Sequence, residues 1–209
     1  KSPPPEKGAT TRTMAGDLLA LLDDLGLRKT HVLGFSLGGC IAQELALAAP
    51  ERVDRLILSN SFARIEGKER ERLGLWEAML AAEHRQKFLD DFFTRLFTAA
   101  YARRNARQLA AYRLSIWAAL PSSSALLGQI EALKGHDTRV RLPQIGSRTL
   151  VISGDRDSMA PRACGAQLAA GIPQAEHSVL PTGAHAAFFE TPEAYNALVL
   201  QFLEAGATL

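Results

Sequence analysis

The residues Gly34-Phe35-Ser36-Leu37-Gly38 constrain the fold of this chain more than any other stretch. The apolar run at residues 31–35 reads as a buried strand. Residues 37–49 follow, with Ile41, Leu45 and Ala48 at helical spacing, and Pro50 closes them. A serine between such a strand and such a helix sits on a sharp turn. Gly34 and Gly38 give the backbone room there, and the hydroxyl is pushed out at the edge of the sheet. The helix N-terminus adds the Leu37 amide as a donor for a developing oxyanion. This context makes Ser36 a candidate nucleophile rather than an incidental serine in a glycine-rich turn.

The surrounding pattern supports a parallel sheet. Met14, Leu18, Leu21, Leu22 and Leu25 recur every three or four residues after Thr11 and Thr13, predicting an amphipathic helix stopped by Gly26. Residues 53–58 form a second apolar run, so strand, helix and strand follow in the order of a parallel unit. Residues 62–136 lose strand character and carry charged amphipathic patterns, broken at residues 121–124. They read as a helical insertion, and the connection back to the sheet begins near Gly135. A third strand at residues 149–153, a helix at 163–170, a fourth strand at 178–180 and a last helix at 192–203 complete an α/β core. The predicted organisation is a first core segment at residues 1–61, a helical insertion at 62–136 and a second core segment at 137–209.

Composition excludes several alternatives. The chain has 209 residues, 47% of them hydrophobic and 22% charged, which suits one large globular domain. Its 24 Lys and Arg stand against 22 Asp and Glu, interspersed, so no nucleic-acid footprint is implied. Cys40 and Cys164 are too few for a disulfide scaffold or a cysteine zinc site. They read as inert structural thiols of a reducing compartment, and a cytoplasmic location is expected. No apolar run reaches the ~18 residues of a membrane span. The chain opens on Lys1-Ser2-Pro3-Pro4-Pro5 rather than Met, so an upstream segment is expected, and export is not excluded.

A neutral serine hydroxyl needs a base and an orienting carboxylate. Active sites of open parallel sheets lie at the carboxyl ends of the strands, and that criterion sorts the five histidines. His31 and His177 fall at strand beginnings, His84 in a charged helix and His136 in a solvated connection. Only His185 follows a strand through a loop leaving the carboxyl end. Asp155 and Asp157 both follow the third strand, and position alone leaves the choice open. The chain order serine, aspartate, histidine is that of a nucleophile-elbow hydrolase.

These residues resemble the α/β-hydrolase superfamily, in particular its cap-bearing serine esterases, lactonases and carbon-carbon bond hydrolases. The resemblance is carried by Leu22-Asp23-Asp24-Leu25-Gly26, Gly34-Phe35-Ser36-Leu37-Gly38-Gly39 and Pro50-Glu51-Arg52-Val53. It continues in Gly154-Asp155-Arg156-Asp157 with Pro161, and in Gly183-Ala184-His185 with Glu190-Thr191-Pro192-Glu193. It implies Ser36 as nucleophile, His185 as base, Asp157 as acid and Leu37 N–H as one oxyanion donor. The helical insertion would be a cap over a small-molecule substrate, with no metal or organic cofactor. Trp76, Phe92, Phe93 and Trp117 are candidate pocket residues, most of them expected to be core. The resemblance also implies earlier strands and a His-Gly loop bearing a second oxyanion donor. Nothing before His31 matches them; this chain alone would leave the elbow strand as an uncovered apolar edge, so a fragment of a longer hydrolase is expected. The alternative function is a non-catalytic hydrolase-fold binding or scaffold protein, or an inactive fragment lacking part of the oxyanion hole.

Overall fold

The computed structural model describes residues 8–205; Lys1, Ser2 and the proline-rich start lie outside the described residues. The chain first forms α1 (Thr11–Asp24), β1 (Thr30–Phe35), α2 (Leu37–Ala48) and β2 (Val53–Ser59). Five helices follow: α3 (Gly67–Ala81), α4 (Arg85–Leu96), α5 (Ala99–Arg104), α6 (Ala106–Ala119) and α7 (Ser123–Gly135). The chain then returns as β3 (Arg148–Gly154), α8 (Arg162–Gly171), β4 (Ala175–Leu180), α9 (Ala187–Glu190) and α10 (Pro192–Glu204).

The four strands lie in sequence order, all parallel. Parallel strands need both faces covered, and their side chains alternate between the two faces. Leu56 and Leu58 of β2 and Val151 of β3 pack with Leu45 of α2 and Leu168 of α8. Ile57, Leu150 and Ile152 point the other way, against Tyr195 and Phe202 of α10. Leu56, Ile57 and Leu58 are at most 1% exposed, and burying each such side chain contributes about 1.5–3 kcal/mol. β1 ends the sheet among the described residues, and Leu33 on it is 47% exposed.

Register places the functional loops. Phe35 pairs with Ser59, Ser59 with Ile152 and Gly154 with Leu180, so the carboxyl ends of all four strands finish at one rim.

Two histidines differ from expectation. His136 is 2% exposed rather than solvated, because the end of α7 packs on α1, where Thr11 Oγ1 lies 2.9 Å from His136 Nδ1. His136 Nε2 is buried with no hydrogen-bond partner among the described residues. His177 lies within β4, half-buried rather than at the surface, with Nε2 3.0 Å from Ser153 Oγ. Gly165 of α8 leaves the space that this pair fills. His31 and His84 are exposed as expected.

Burial lowers the His136 pKa to about 4; Arg141 adds to the effect, and Glu44 and Asp137 oppose it. The unfolded chain therefore binds a proton near its ordinary value of about 6.5 that the folded chain refuses until about 4. Folding stability is expected to fall as pH drops through that window, by up to about 1.4 kcal/mol per pH unit from this residue. Urea unfolding at pH 7 and pH 5 tests this: a His136→Gln variant should show a shallower loss than the native chain. Leu58→Ala should cost about 2–5 kcal/mol at either pH.

Candidate active site

Ser36 stands between β1 and α2 with φ 52° and ψ −118°. The positive φ strains a non-glycine residue by about 1–3 kcal/mol, so its surroundings must hold it there. Ser36 N–H donates to the Ser59 carbonyl at 2.9 Å, and the Ser36 carbonyl accepts from Gly39 N–H at 2.9 Å and Ser61 Oγ at 2.9 Å. A Cβ on Gly34 would strike the Gly38 carbonyl and Gly39 Cα, and one on Gly39 would strike the Ser61 side chain. The sequence pattern assigns the space-making roles to Gly34 and Gly38. The structure shifts the second role to Gly39, because a Cβ on Gly38 would meet open space. Phe35 packs its ring against that of His185, centroids 4.9 Å apart.

Asp157 and His185 meet behind this turn. His185 Nδ1 lies 2.8 Å from Asp157 Oδ2, and both side chains are buried. Asp157 Oδ2 also accepts from Asn60 Nδ2 at 2.8 Å, and Oδ1 accepts from the amides of Met159 at 2.7 Å and Ala160 at 2.9 Å. Since a carboxylate only accepts, His185 Nδ1 carries the proton in this pair and Nε2 is left as an acceptor. Asp155 points elsewhere, 4.0 Å from the Arg156 guanidinium. Of the two aspartates left open by position, Asp157 is the one on His185.

Ser36 and His185 line one cavity of about 340 Å³, together with Leu37, Trp76, Phe88 and Phe92. Among the described residues Ser36 Oγ makes no hydrogen bond, so the serine and the imidazole share a cavity without a closed contact. Such contacts are often long in a ligand-free site. A second cavity of about 290 Å³ also reaches Ser36, lined by Lys68, Glu69, Arg72 and Arg95. Trp76 and Phe92 therefore reach the cavities, while Phe93 packs with Leu96, Phe97 and Leu109, and Trp117 is 41% exposed. Burial pushes the Cys40 thiol up to about 12 and that of Cys164 to about 11, which keeps both protonated near neutrality.

Two further residues hold the site together: Asn60, which no sequence motif singles out, and Glu190, which the sequence places in a family-like motif without giving it a role. Asn60, fully buried with φ 48°, bonds Asp157 directly, receives Ser59 Oγ on its own Oδ1 at 3.1 Å and reaches the Ala184 carbonyl at 3.4 Å. Asparagine tolerates this left-handed backbone better than most residues. The available hint is the polar run Ser59-Asn60-Ser61 ending an apolar strand. Glu190 ties the helical segment to the loop of His185. Its Oε1 accepts from Thr98 N–H and Oγ1, both at 2.8 Å, and its Oε2 accepts from Ala184 N–H at 2.5 Å.

The alpha/beta hydrolase fold family profile matches residues 1–192. The chain belongs to the alpha/beta hydrolase fold family. A protein of Azorhizobium caulinodans that carries the name carbamate hydrolase RutD is 33% identical over 189 residues, 90% of this chain and 71% of that one. The enol-lactonase structure from Burkholderia xenovorans is 30% identical with a TM-score of 0.88, covering 95% of this chain and 75% of that one. A hydrolase structure from Pseudomonas aeruginosa is 32% identical with a TM-score of 0.85, covering 99% and 75%. This protein is thus a hydrolase of the α/β type. Among the described residues no helix is long and apolar enough to cross a membrane.

Asn60→Leu removes a donor from a buried carboxylate and is expected to cost about 1–3 kcal/mol of unfolding free energy. Gly34→Ala should destabilise the fold at least as much, because the obstruction is backbone. Denaturant titration of both variants measures these losses.

Proposed function

We propose that the protein hydrolyses an ester, lactone or related activated carbonyl through an acyl-enzyme formed on Ser36. The observation that carries this reading is the buried Asp157–His185 hydrogen bond set in the wall of the cavity that Ser36 shares. Ser36 Oγ attacks the carbonyl carbon while His185 Nε2 takes its proton. Leu37 opens α2, where the first backbone N–H groups lack a helical acceptor, and its amide receives the developing oxyanion. The bond from carbon to the leaving oxygen then breaks as His185 returns the proton to that oxygen. Water repeats the sequence: His185 takes its proton, the hydroxyl oxygen bonds to the acyl carbon, and Ser36 leaves with the proton restored. Asp157 stabilises the transient imidazolium and holds the ring in its tautomer.

Residues 62–136 act as the cap in this proposal. Trp76, Phe88 and Phe92 from α3 and α4 line the cavity on Ser36, and Glu190 fastens the segment to the catalytic loop. The substrate is a small molecule, as the names of the relatives suggest.

Labelling with a fluorophosphonate probe tests the assignment. Attachment at Ser36, lost in Ser36→Ala, together with turnover of 4-nitrophenyl butyrate, is the expected result. An intact protein showing neither would favour a binding protein on the same fold. Ser36→Ala, His185→Ala and Asp157→Asn should each lower kcat by about 10⁴-fold or more without loss of folded structure.

A further inference from the structure

The two cavities that meet at Ser36 differ in chemistry. The lobe that includes His185 is lined by Phe35, Trp76, Phe88, Phe92, Leu126 and Ile130, with Gln129 as its polar member beside Ser36 and His185. The lobe that includes Ser36 but not His185 brings in Lys68, Arg72, Arg95, Glu69 and Ser158.

The charges on the second lobe do not cancel. Asp91 beneath it is engaged by Arg95, with Nε at 3.0 Å and Nη2 at 3.1 Å, and by Trp76 Nε1 at 2.7 Å. Arg72 reaches the same carboxylate only at 3.4 Å. One anion is therefore shared by two guanidinium groups, and Lys68 makes no ion pair among the described residues. Glu69 is the opposing charge. It lies in the first turn of α3 with its carboxylate turned back toward Gly67, and it also lines the neighbouring depression that holds Cys164. Lys68, Arg72 and Arg95 against Asp91 and Glu69 leave one net positive charge, carried by the Arg72 and Lys68 side.

The orientation of a bound substrate follows from the proton. His185 must reach the leaving oxygen, so the leaving group occupies the lobe that His185 lines, and the acyl chain runs into the other. We propose that the substrate is an open-chain ester whose acyl portion ends in an anionic group, a carboxylate in the simplest case, held by Arg72 and Lys68, with an apolar leaving group among Trp76, Phe88 and Phe92. This selectivity rests on the serine hydrolase reading for its orientation. The cation-lined lobe itself is a separate observation.

The test compares the 4-nitrophenyl half-ester of adipic acid with its methyl ester, which differs by loss of the negative charge. Binding of each to the Ser36→Ala protein, followed by isothermal titration calorimetry, reads the selectivity without turnover. The half-ester is expected to bind about tenfold more tightly, as a charge-assisted hydrogen bond from a partly exposed guanidinium allows. Arg72→Gln, and separately Lys68→Gln at an exposed position that does not support the fold, should bring the two affinities toward equality. Equal or weaker binding of the half-ester, or variants that leave its advantage intact, overturns the proposal. Turnover by the native protein reads the other claim. Preferential binding without turnover keeps the anion-selective lobe and removes the serine hydrolase, whereas turnover without preference does the reverse.

Discussion

The carboxylate of Asp157 is the point on which the rest of the site depends. Its two oxygens accept four hydrogen bonds, from His185, Asn60, Met159 and Ala160, and these donors come from three separate strand ends. A buried carboxylate is costly unless it is fully bonded. Satisfying this one forces the loops after β2, β3 and β4 to converge, and the convergence orients the imidazole. The parallel register supplies the first condition, since all four strands finish at the same rim. The absence of a side chain on Gly154 supplies the second, because a Cβ there would strike the Gly183 and Ala184 carbonyls and push away the loop that carries His185.

The same logic explains where strain is kept. Ser36 and Asn60 occupy positive φ at successive strand ends, and their backbones are linked through Ser59 and Ile152, whose carbonyls accept from Ser36 N–H and Asn60 N–H. The elbow and the aspartate support are thus neighbouring parts of one hydrogen-bonded rim. Glu190 extends it to the helical segment, so the walls of the cavities and the loop that carries His185 are fixed to each other rather than merely adjacent.

Much of this is legible in the sequence because it follows from local pattern. The elbow, the apolar strands and the order of serine, aspartate and histidine depend on short-range periodicity and on which end of a strand a loop leaves. The choice between Asp155 and Asp157 does not, since both lie after β3 and only the reach to His185 separates them. His136 reads wrongly as solvated because its burial comes from α1, 125 positions earlier in the chain. Asn60 is invisible for a related reason: its partner Asp157 lies 97 positions away, and a lone asparagine after a strand signals a turn as readily as a buried donor. The five helices between β2 and β3 show as helical character without their number, because charged amphipathic runs hide the breaks between short helices.

A crystal structure of the protein after reaction with an aryl phosphonate tests whether Ser36, His185 and Asp157 act as one unit. Phosphorus bonded to Ser36 Oγ, a phosphonyl oxygen within about 3 Å of the Leu37 amide, and His185 Nε2 within hydrogen-bonding reach of Ser36 Oγ are the expected result, the geometry of an oxyanion donor and a base. Phosphorus on another residue, or an imidazole turned away from the adduct with Asp157 unbonded, would contradict it.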